Sequence, residues 1–350
     1  MIELSIGYLP LTDAASLIAA ADFGFAEGQG LRLNLHRDVS WANLRDKLVV
    51  GHIDAAHMLA PLAIATTLGV GQVRRDLKAV FVLNENGNAI TISPALAAEA
   101  TALHPGALES CAQAALALGA VVAQRKAQGA RALTFASVYP FSAHTYLLRR
   151  FLALGGVDPD VDVEIVVVPP PYMVDCIDKG LIDGFCVGSP WNSLAVDQGK
   201  GIIVALGCEI VPEMVEKVLA LPADSPLLGN GVGEKLVRAL DGAARFVADP
   251  AQRTLVSQAL AQRFDLPAGV IARSLSGALL LDAAGRQRVA SGFIRFAGEG
   301  LNRPEPDTAR RIHADMVAAG QLAGAEADVQ RAADVFDPAL YDRSLGVASA

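Results

Sequence analysis

Short apolar runs in this chain alternate with longer amphipathic segments. The runs at 2–8, 31–35 and 53–59 predict β-strands, and the segments at 12–26 and 41–48 predict the helices between them. Thr12 and Asp13 are suitable N-cap residues for the first helix, and Ser40 for the second. This strand–helix–strand–helix–strand order is typical of a parallel sheet.

The same order returns further along the chain. Strands are predicted at 133–138, 162–168 and 182–188, with helices at 143–154 and from 170 onward. Landmark residues recur at one constant spacing: Gly51, Ile53, Asp54 and Pro61 match Gly180, Ile182, Asp183 and Pro190. We interpret this as two similar halves with the function between them, the alternative being that any two such units look alike. The predicted lobes are 1–92 with 205–350, and 93–204.

The C-terminal third has a different pattern. Segments 231–247, 250–262, 267–278, 284–297, 306–320 and 323–335 are predicted to be mostly helical. Residues 210–217 predict a turn or a helix start, and 84–88 a turn.

Composition excludes several classes of protein. With 350 residues, 52% of them hydrophobic and 19% charged, the chain predicts a large folded core. A net charge of −8 argues against a general nucleic-acid surface, but it leaves a local anion site open.

No apolar run is long enough for a membrane span. The N-terminus has no export-signal pattern, so we expect a cytoplasmic protein, with a removed signal as the alternative. Cysteine spacing matches neither a zinc nor a redox motif, and no metal or cofactor is expected.

Candidate chemistry concentrates at predicted helix starts. Ligands of parallel α/β sheets lie where strands end and helices begin, and free N–H groups there attract anions. The four starts are 12–15, 40–43, 142–145 and 170–173. Trp41 either walls a pocket or packs between the lobes, and His144 is a candidate anion donor. His57 is interpreted as a buried core histidine.

Further polar residues lie where the halves join. Asn86, Asn88 and Thr91 are expected to put polar groups at the cleft, although asparagine is also common in turns. Lys217 is either an anion-neutralising cation or a solvated side chain. Cys186 is expected to be structural, because it lies in an apolar strand.

These segments together resemble a known family. They resemble the nitrate/bicarbonate-binding branch of ABC-transporter solute-binding proteins. The segments that carry the resemblance are 40–48 with its Ser-Trp-Ala-Asn start, 54–61, Asn-Gly-Asn at 86–88, Pro-Pro-Pro-Tyr at 169–172, and 183–192 with its Gly-Ser-Pro-Trp-Asn end. The resemblance spans about 3–220. It implies an α/β, two-lobed type II periplasmic-binding-protein fold with the ligand cleft between the lobes.

The resemblance also implies a ligand site. The matching positions are Trp41 with the neighbouring Ala42, Asn88, His144 and Lys217. Bicarbonate binders of this family use a carboxylate-held calcium. Glu216 could supply a carboxylate here, but the lysine that follows it favours nitrate or nitrite.

The chain is most similar to the cytoplasmic, NasS-type sensors of this branch. The resemblance implies that it binds nitrate or nitrite and controls a NasT-type, RNA-binding antiterminator protein, without contacting nucleic acid or membrane itself. One alternative is the solute-binding subunit of a nitrate-type importer. The other is a desulfinase-like or pyrimidine-synthase-like enzyme with Cys186 or Cys176 as nucleophile.

Overall fold

The computed structural model describes residues 1–71 and 73–347, which form two α/β lobes. Their strands are β1 (Ile2–Tyr8), β2 (Leu31–Arg37), β3 (Ala55–Leu59), β4 (Leu77–Asn86), β5 (Asn88–Ile92), β6 (Leu133–Ser137), β7 (Val163–Val167), β8 (Gly184–Gly188), β9 (Ile202–Leu206), β10 (Val215–Pro222), β11 (Ala278–Leu280), β12 (Gln287–Val289) and β13 (Ile294–Arg295). 

Helices fill the connections between these strands and make up most of the C-terminal third. They are α1 (Ala15–Asp22), α2 (Phe25–Gly28), α3 (Trp41–Val49), α4 (Ala60–Leu68), α5 (Pro94–Leu103), α6 (Cys111–Ala127), α7 (Ala143–Leu154), α8 (Met173–Asp178), α9 (Trp191–Asp197), α10 (Gly207–Ile210), α11 (Val232–Ala248), α12 (Arg253–Phe264), α13 (Ala268–Ser276), α14 (Pro306–Ala318), α15 (Glu326–Ala333) and α16 (Pro338–Leu345). Short 3-10 turns at Thr12–Ala14 and Pro170–Tyr172 precede α1 and α8. None of the helices in the described part of the chain combines the length and apolar composition that crossing a bilayer requires.

Each lobe is organised around one sheet. The lobe 1 sheet has the order β13-β4-β10-β3-β1-β2, and the lobe 2 sheet has the order β7-β6-β8-β5-β9. In each, a central strand pairs in parallel with two others, β1 with β2 and β3, and β6 with β7 and β8. An antiparallel strand then follows, β10 against β3 and β5 against β8. The matching orders confirm the two similar halves predicted from the repeat.

The repeated aspartates have the same role in both halves. Asp54 Oδ2 accepts a hydrogen bond of 2.8 Å from the backbone N–H of Ser5, and Asp183 Oδ2 accepts one of 2.8 Å from Thr134. Each carboxylate thus ties the turn before the third strand to the first strand of its lobe. The recurring aspartate therefore has a structural explanation.

Three predictions differ from the structure. β5 pairs with lobe 2 from Asn88 onward and β9 continues to Leu206, so the second sheet extends beyond the predicted limits of 93–204. Segment 284–297 is not helical; β12 and β13 lie there, with Gly285 at a φ of 93°. Residues 215–217 belong to β10 rather than to a helix start, because they pair with both β3 and β4.

Candidate functional site

Asp13 lies in the 3-10 turn between β1 and α1, and its side chain points into the protein. The N-cap position of that turn is Leu11, and no side chain caps it, so the predicted capping role of Thr12 and Asp13 is wrong. Asp13 Oδ2 lies 2.8 Å from Lys217 Nζ, and Oδ1 lies 2.8 Å from His57 Nε2. A buried carboxylate requires such partners, because an unpaired buried charge is costly.

An irregularity in β10 brings two charged side chains together. The register against β4 shifts between Val215 and Lys217, and again between Lys217 and Val218. Successive side chains of a regular strand point to opposite faces, but a bulge breaks that alternation. Glu216 Oε1 and Lys217 Nζ form an ion pair, and both side chains are fully buried.

Glu216 connects lobe 1 to lobe 2. Its Oε2 accepts a hydrogen bond of 2.6 Å from Asn88 Nδ2, at the first residue of β5. Its Oε1 lies 2.9 Å from His144 Nε2, at the second residue of α7. That histidine contact has the distance of an ion pair but is not aligned as a hydrogen bond. The α7 helix is held in place by Ser142, which accepts from the N–H of Thr145 as its N-cap.

Trp41 closes the lobe 1 side of this cluster. It is the first residue of α3, and Lys217 Nζ lies 5.3 Å from its ring centroid, a cation–π distance. The ring also lies 5.6 Å from that of His57. Trp41 Nε1 is buried and has no hydrogen-bond partner. Ser40 occupies the N-cap position as predicted but makes no side-chain cap bond, and Ala42 is half-buried beside the tryptophan.

Charge pairing dominates the electrostatics of the site. Burial alone would raise the pKa values of Asp13 and Glu216, but Lys217 and the adjacent histidines outweigh burial and lower both. Burial disfavours the charged form of Lys217, yet the two carboxylates raise its pKa above the usual value. Burial lowers the pKa of His57, against the opposing effect of Asp13. The site therefore holds one ammonium and two carboxylates at neutral pH.

The structure brings four of the five predicted site residues into one cluster around Glu216 and Lys217, namely Trp41, Asn88, His144 and Lys217. Other candidates lie in structural positions. Asn86 Nδ2 donates to the carbonyls of Pro212 and Gly292, which fixes the crossover. Thr91 donates to Asn192 Oδ1 within lobe 2.

The predicted helix start at 170–173 and Cys186 are not members of the cluster. Tyr172, at the 170–173 start, is 50% exposed. Cys186 is fully buried in β8, and burial raises the pKa of its thiol well above the usual value. A thiol in this state is a poor nucleophile.

Sequence reasoning missed the roles of three cluster members. The sequence predicts a cap for Asp13 and a core position for His57, and it offers Glu216 only as a possible calcium carboxylate that the following lysine argues against. His57 is indeed fully buried, but it contacts Asp13. In residues 1–71 and 73–347, no group of three or more histidine, cysteine or acidic side chains is arranged to hold a metal ion. Between Asp13 and Glu216 lies the ammonium of Lys217.

Two lobes with a polar cluster at their junction define a solute-binding protein of the type II periplasmic-binding-protein fold. Residues 2–261 match the model of the NMT1-like family, so the chain belongs to that family. The crystal structure of the periplasmic nitrate-binding protein NrtA from Synechocystis PCC 6803 superposes with a TM-score of 0.90 at 22% identity, over 100% of this chain and 89% of that one. The predicted fold is confirmed.

Relatives of known name belong to nitrate and bicarbonate transport. The nitrate/nitrite binding protein NrtA of Synechococcus elongatus is 32% identical over 74% of this chain and 58% of its own length. The bicarbonate transport ATP-binding protein CmpC of the same species is 32% identical over 87% of this chain and 43% of its own length. The chain thus spans about half the length of these two relatives. It carries a nitrate/bicarbonate-type solute-binding domain.

Proposed function

We propose that this protein binds nitrate or nitrite in the cluster at the lobe junction. The observation that carries the proposal is the unpaired indole N–H of Trp41 in a fully buried cluster that also contains Lys217 and His144. An unpaired buried donor is costly, and an oxyanion oxygen would satisfy it. The aromatic face and the ammonium suit a flat, singly charged anion.

Calorimetric titration with nitrate, nitrite and bicarbonate tests this proposal. Trp41→Phe keeps an aromatic side chain but removes the indole N–H, so we expect roughly tenfold weaker nitrate binding. Lys217→Ala leaves buried carboxylates against the anion and is expected to cost at least about 3 kcal/mol, or about a hundredfold in affinity. Lys179→Ala, an exposed lysine, is the matched control. Nitrate affinity that is the same in all four proteins would refute the site.

We propose further that the protein acts in the cytoplasm as a sensor that controls an RNA-binding antiterminator of the NasT type. The support is the resemblance of its motifs to the sensor branch, together with a cluster whose members come from both lobes. If the partner binds one arrangement of the lobes more tightly and the ligand binds another, ligand binding would lower the affinity for the partner.

Co-purification with a NasT-type antiterminator tests the sensor role. We expect a complex without nitrate, release when nitrate is added, and a complex of Lys217→Ala that nitrate does not release. The names of the relatives favour a second candidate, the binding subunit of an importer. Binding of nitrate without any affinity for the antiterminator, with the protein found outside the cytoplasm by fractionation, would support that candidate and refute the sensor.

A further inference from the structure

The cluster contains more negative than positive charge. Lys217 is the cation, Asp13 and Glu216 are the carboxylates in contact with it, and all three are buried. His57 is kept neutral by burial, which lowers its pKa. Lys217, Asp13 and Glu216, one ammonium and two carboxylates, together carry one net negative charge before any ligand enters.

An anion that enters this site unaccompanied would meet a like charge. Charges interact strongly where water is excluded, and a buried charge without a counterion is among the most costly arrangements in proteins. Nitrate would raise the negative charge of the cluster from one to two. Anion binding is therefore favoured only if the cluster gains a positive charge at the same time.

His144 is the group placed to supply that charge. Its Nε2 lies 2.9 Å from Glu216 Oε1. The contact is not aligned as a hydrogen bond, but two lone pairs would repel each other at this distance, so we assign the hydrogen of neutral His144 to Nε2. Nδ1 of neutral His144 is then a bare acceptor, buried and without a partner.

The two kinds of oxyanion differ at this nitrogen. Nitrate and nitrite have oxygens that only accept hydrogen bonds, so neutral Nδ1 offers them nothing. A proton on Nδ1 makes His144 an imidazolium, which donates to the anion and also balances its charge. Bicarbonate carries an O–H group, which can donate to the neutral Nδ1.

We propose that His144 and Glu216 make the site distinguish oxyanions by proton content: nitrate or nitrite binds together with one proton taken up at His144, and bicarbonate binds without proton uptake. This inference rests on the proposed anion-binding function and specifies its ligand selectivity.

The surroundings of His144 leave Glu216 as its charged contact. Across Glu216 lie Lys217 and, beyond it, the Asp13–His57 pair. Charged groups on the elements packed against α7 are paired elsewhere: Glu209 on α10 with Arg288, and Arg125 and Lys126 on α6 with Glu99 and Asp162. Burial raises the pKa of each thiol on these elements, which keeps the thiols neutral: Cys111 on α6, Cys208 on α10 and Cys186 on β8.

Calorimetry in two buffers of different ionisation enthalpy measures the protons taken up on binding. For nitrate we expect about one proton per site at slightly alkaline pH, with affinity falling about tenfold per unit of rising pH. For bicarbonate we expect none. Glu216→Gln removes one negative charge at nearly constant shape, so nitrate should bind it with little proton uptake and with an affinity that hardly depends on pH.

Controls separate this effect from a loss of structure. Glu164→Gln, on the exposed edge strand β7, should leave proton uptake unchanged. If Glu216→Gln does not fold, as judged by circular dichroism, His144→Gln serves instead, because glutamine donates without taking up a proton. Nitrate binding without proton uptake, or uptake that persists in the folded variant, would overturn this proposal alone. Absence of binding by nitrate, nitrite and bicarbonate would overturn the proposed function and this inference with it.

Discussion

Lys217→Met should destabilise the protein more than most single substitutions. Lys217 is fully buried, and its Nζ contacts both Asp13 and Glu216. Methionine has a similar length but no charge, so the packing is largely kept while two buried carboxylates lose their counterion. Removing one partner of a buried ion pair typically costs about 3–5 kcal/mol.

The structure also sets an upper limit on this loss, because the two carboxylates can take up protons instead of remaining charged. Protonating one carboxyl at pH 7 from an ordinary pKa costs about 4 kcal/mol, so the two together cap the loss at roughly 8 kcal/mol. We therefore expect about 4 kcal/mol at neutral pH, measured by equilibrium urea unfolding. Lys179→Met, on the surface, should change the free energy of unfolding by less than about 0.5 kcal/mol.

The pH dependence distinguishes lost charge pairing from lost packing. In the wild type the pKa values of Asp13 and Glu216 are lowered, so their stabilisation is complete above the unfolded pKa near 4 and is lost as the pH falls through the folded values. In the variant, burial without Lys217 raises both values, and protonation becomes cheaper as the pH falls. The difference between variant and wild type should therefore at least halve between about pH 7 and pH 5. A loss below about 1 kcal/mol at pH 7, or one that does not change with pH, would refute this reasoning.

Three further tests concern other parts of the structure. Gly188→Ala would place a Cβ 3.2 Å from Leu11 Cδ2 and 3.4 Å from both Asn88 Oδ1 and Asp13 Oδ2, so these side chains must shift and nitrate affinity should fall several-fold in calorimetry; an unchanged affinity would mean that this strand end does not border the ligand. Asp54→Asn and Asp183→Asn should each cost roughly 1–2 kcal/mol in urea unfolding, since each carboxylate accepts one matching backbone hydrogen bond, and a neutral result in either would contradict the equivalence of the halves. Cys186 should resist thiol labelling of the folded protein while the partly exposed Cys176 reacts; rapid labelling of Cys186 would reopen the enzyme alternative.

Local sequence patterns predicted the parts of the fold that local chemistry determines. The strands 55–59 and 184–188 follow glycine-bounded turns, and their apolar residues fill the two cores. The predicted helix start at 142–145 is present and is capped by Ser142, so His144 lies where a parallel sheet places its ligands. Segment 284–297 was mistaken for a helix because its strands are too short to show a period of two.

The site depends instead on pairings between distant parts of the chain. Asp13 has the local chemistry of a helix cap. Only its contact with Lys217, which is distant in the sequence, shows that Asp13 belongs to the cluster. The bulge that turns Glu216 and Lys217 together arises from the pairing of β10 with β4. The family resemblance indicated which residues to consider as ligand contacts, whereas the balance of charge among them follows only from the contacts in the folded chain.

That balance links the site to the relative positions of the lobes. Glu216 extends from a lobe 1 strand, yet the amide of Asn88 and the ring of His144, both of lobe 2, contact its carboxylate. The repeated corner of lobe 2 also reaches lobe 1, where Trp191 Nε1 donates to the carbonyl of Pro10, close to Asp13. A change of charge on His144 therefore acts on a contact that holds the lobes together. Anion uptake that adds a proton there would strengthen the pairing with Glu216 and so favour the arrangement of the lobes in which this contact is made.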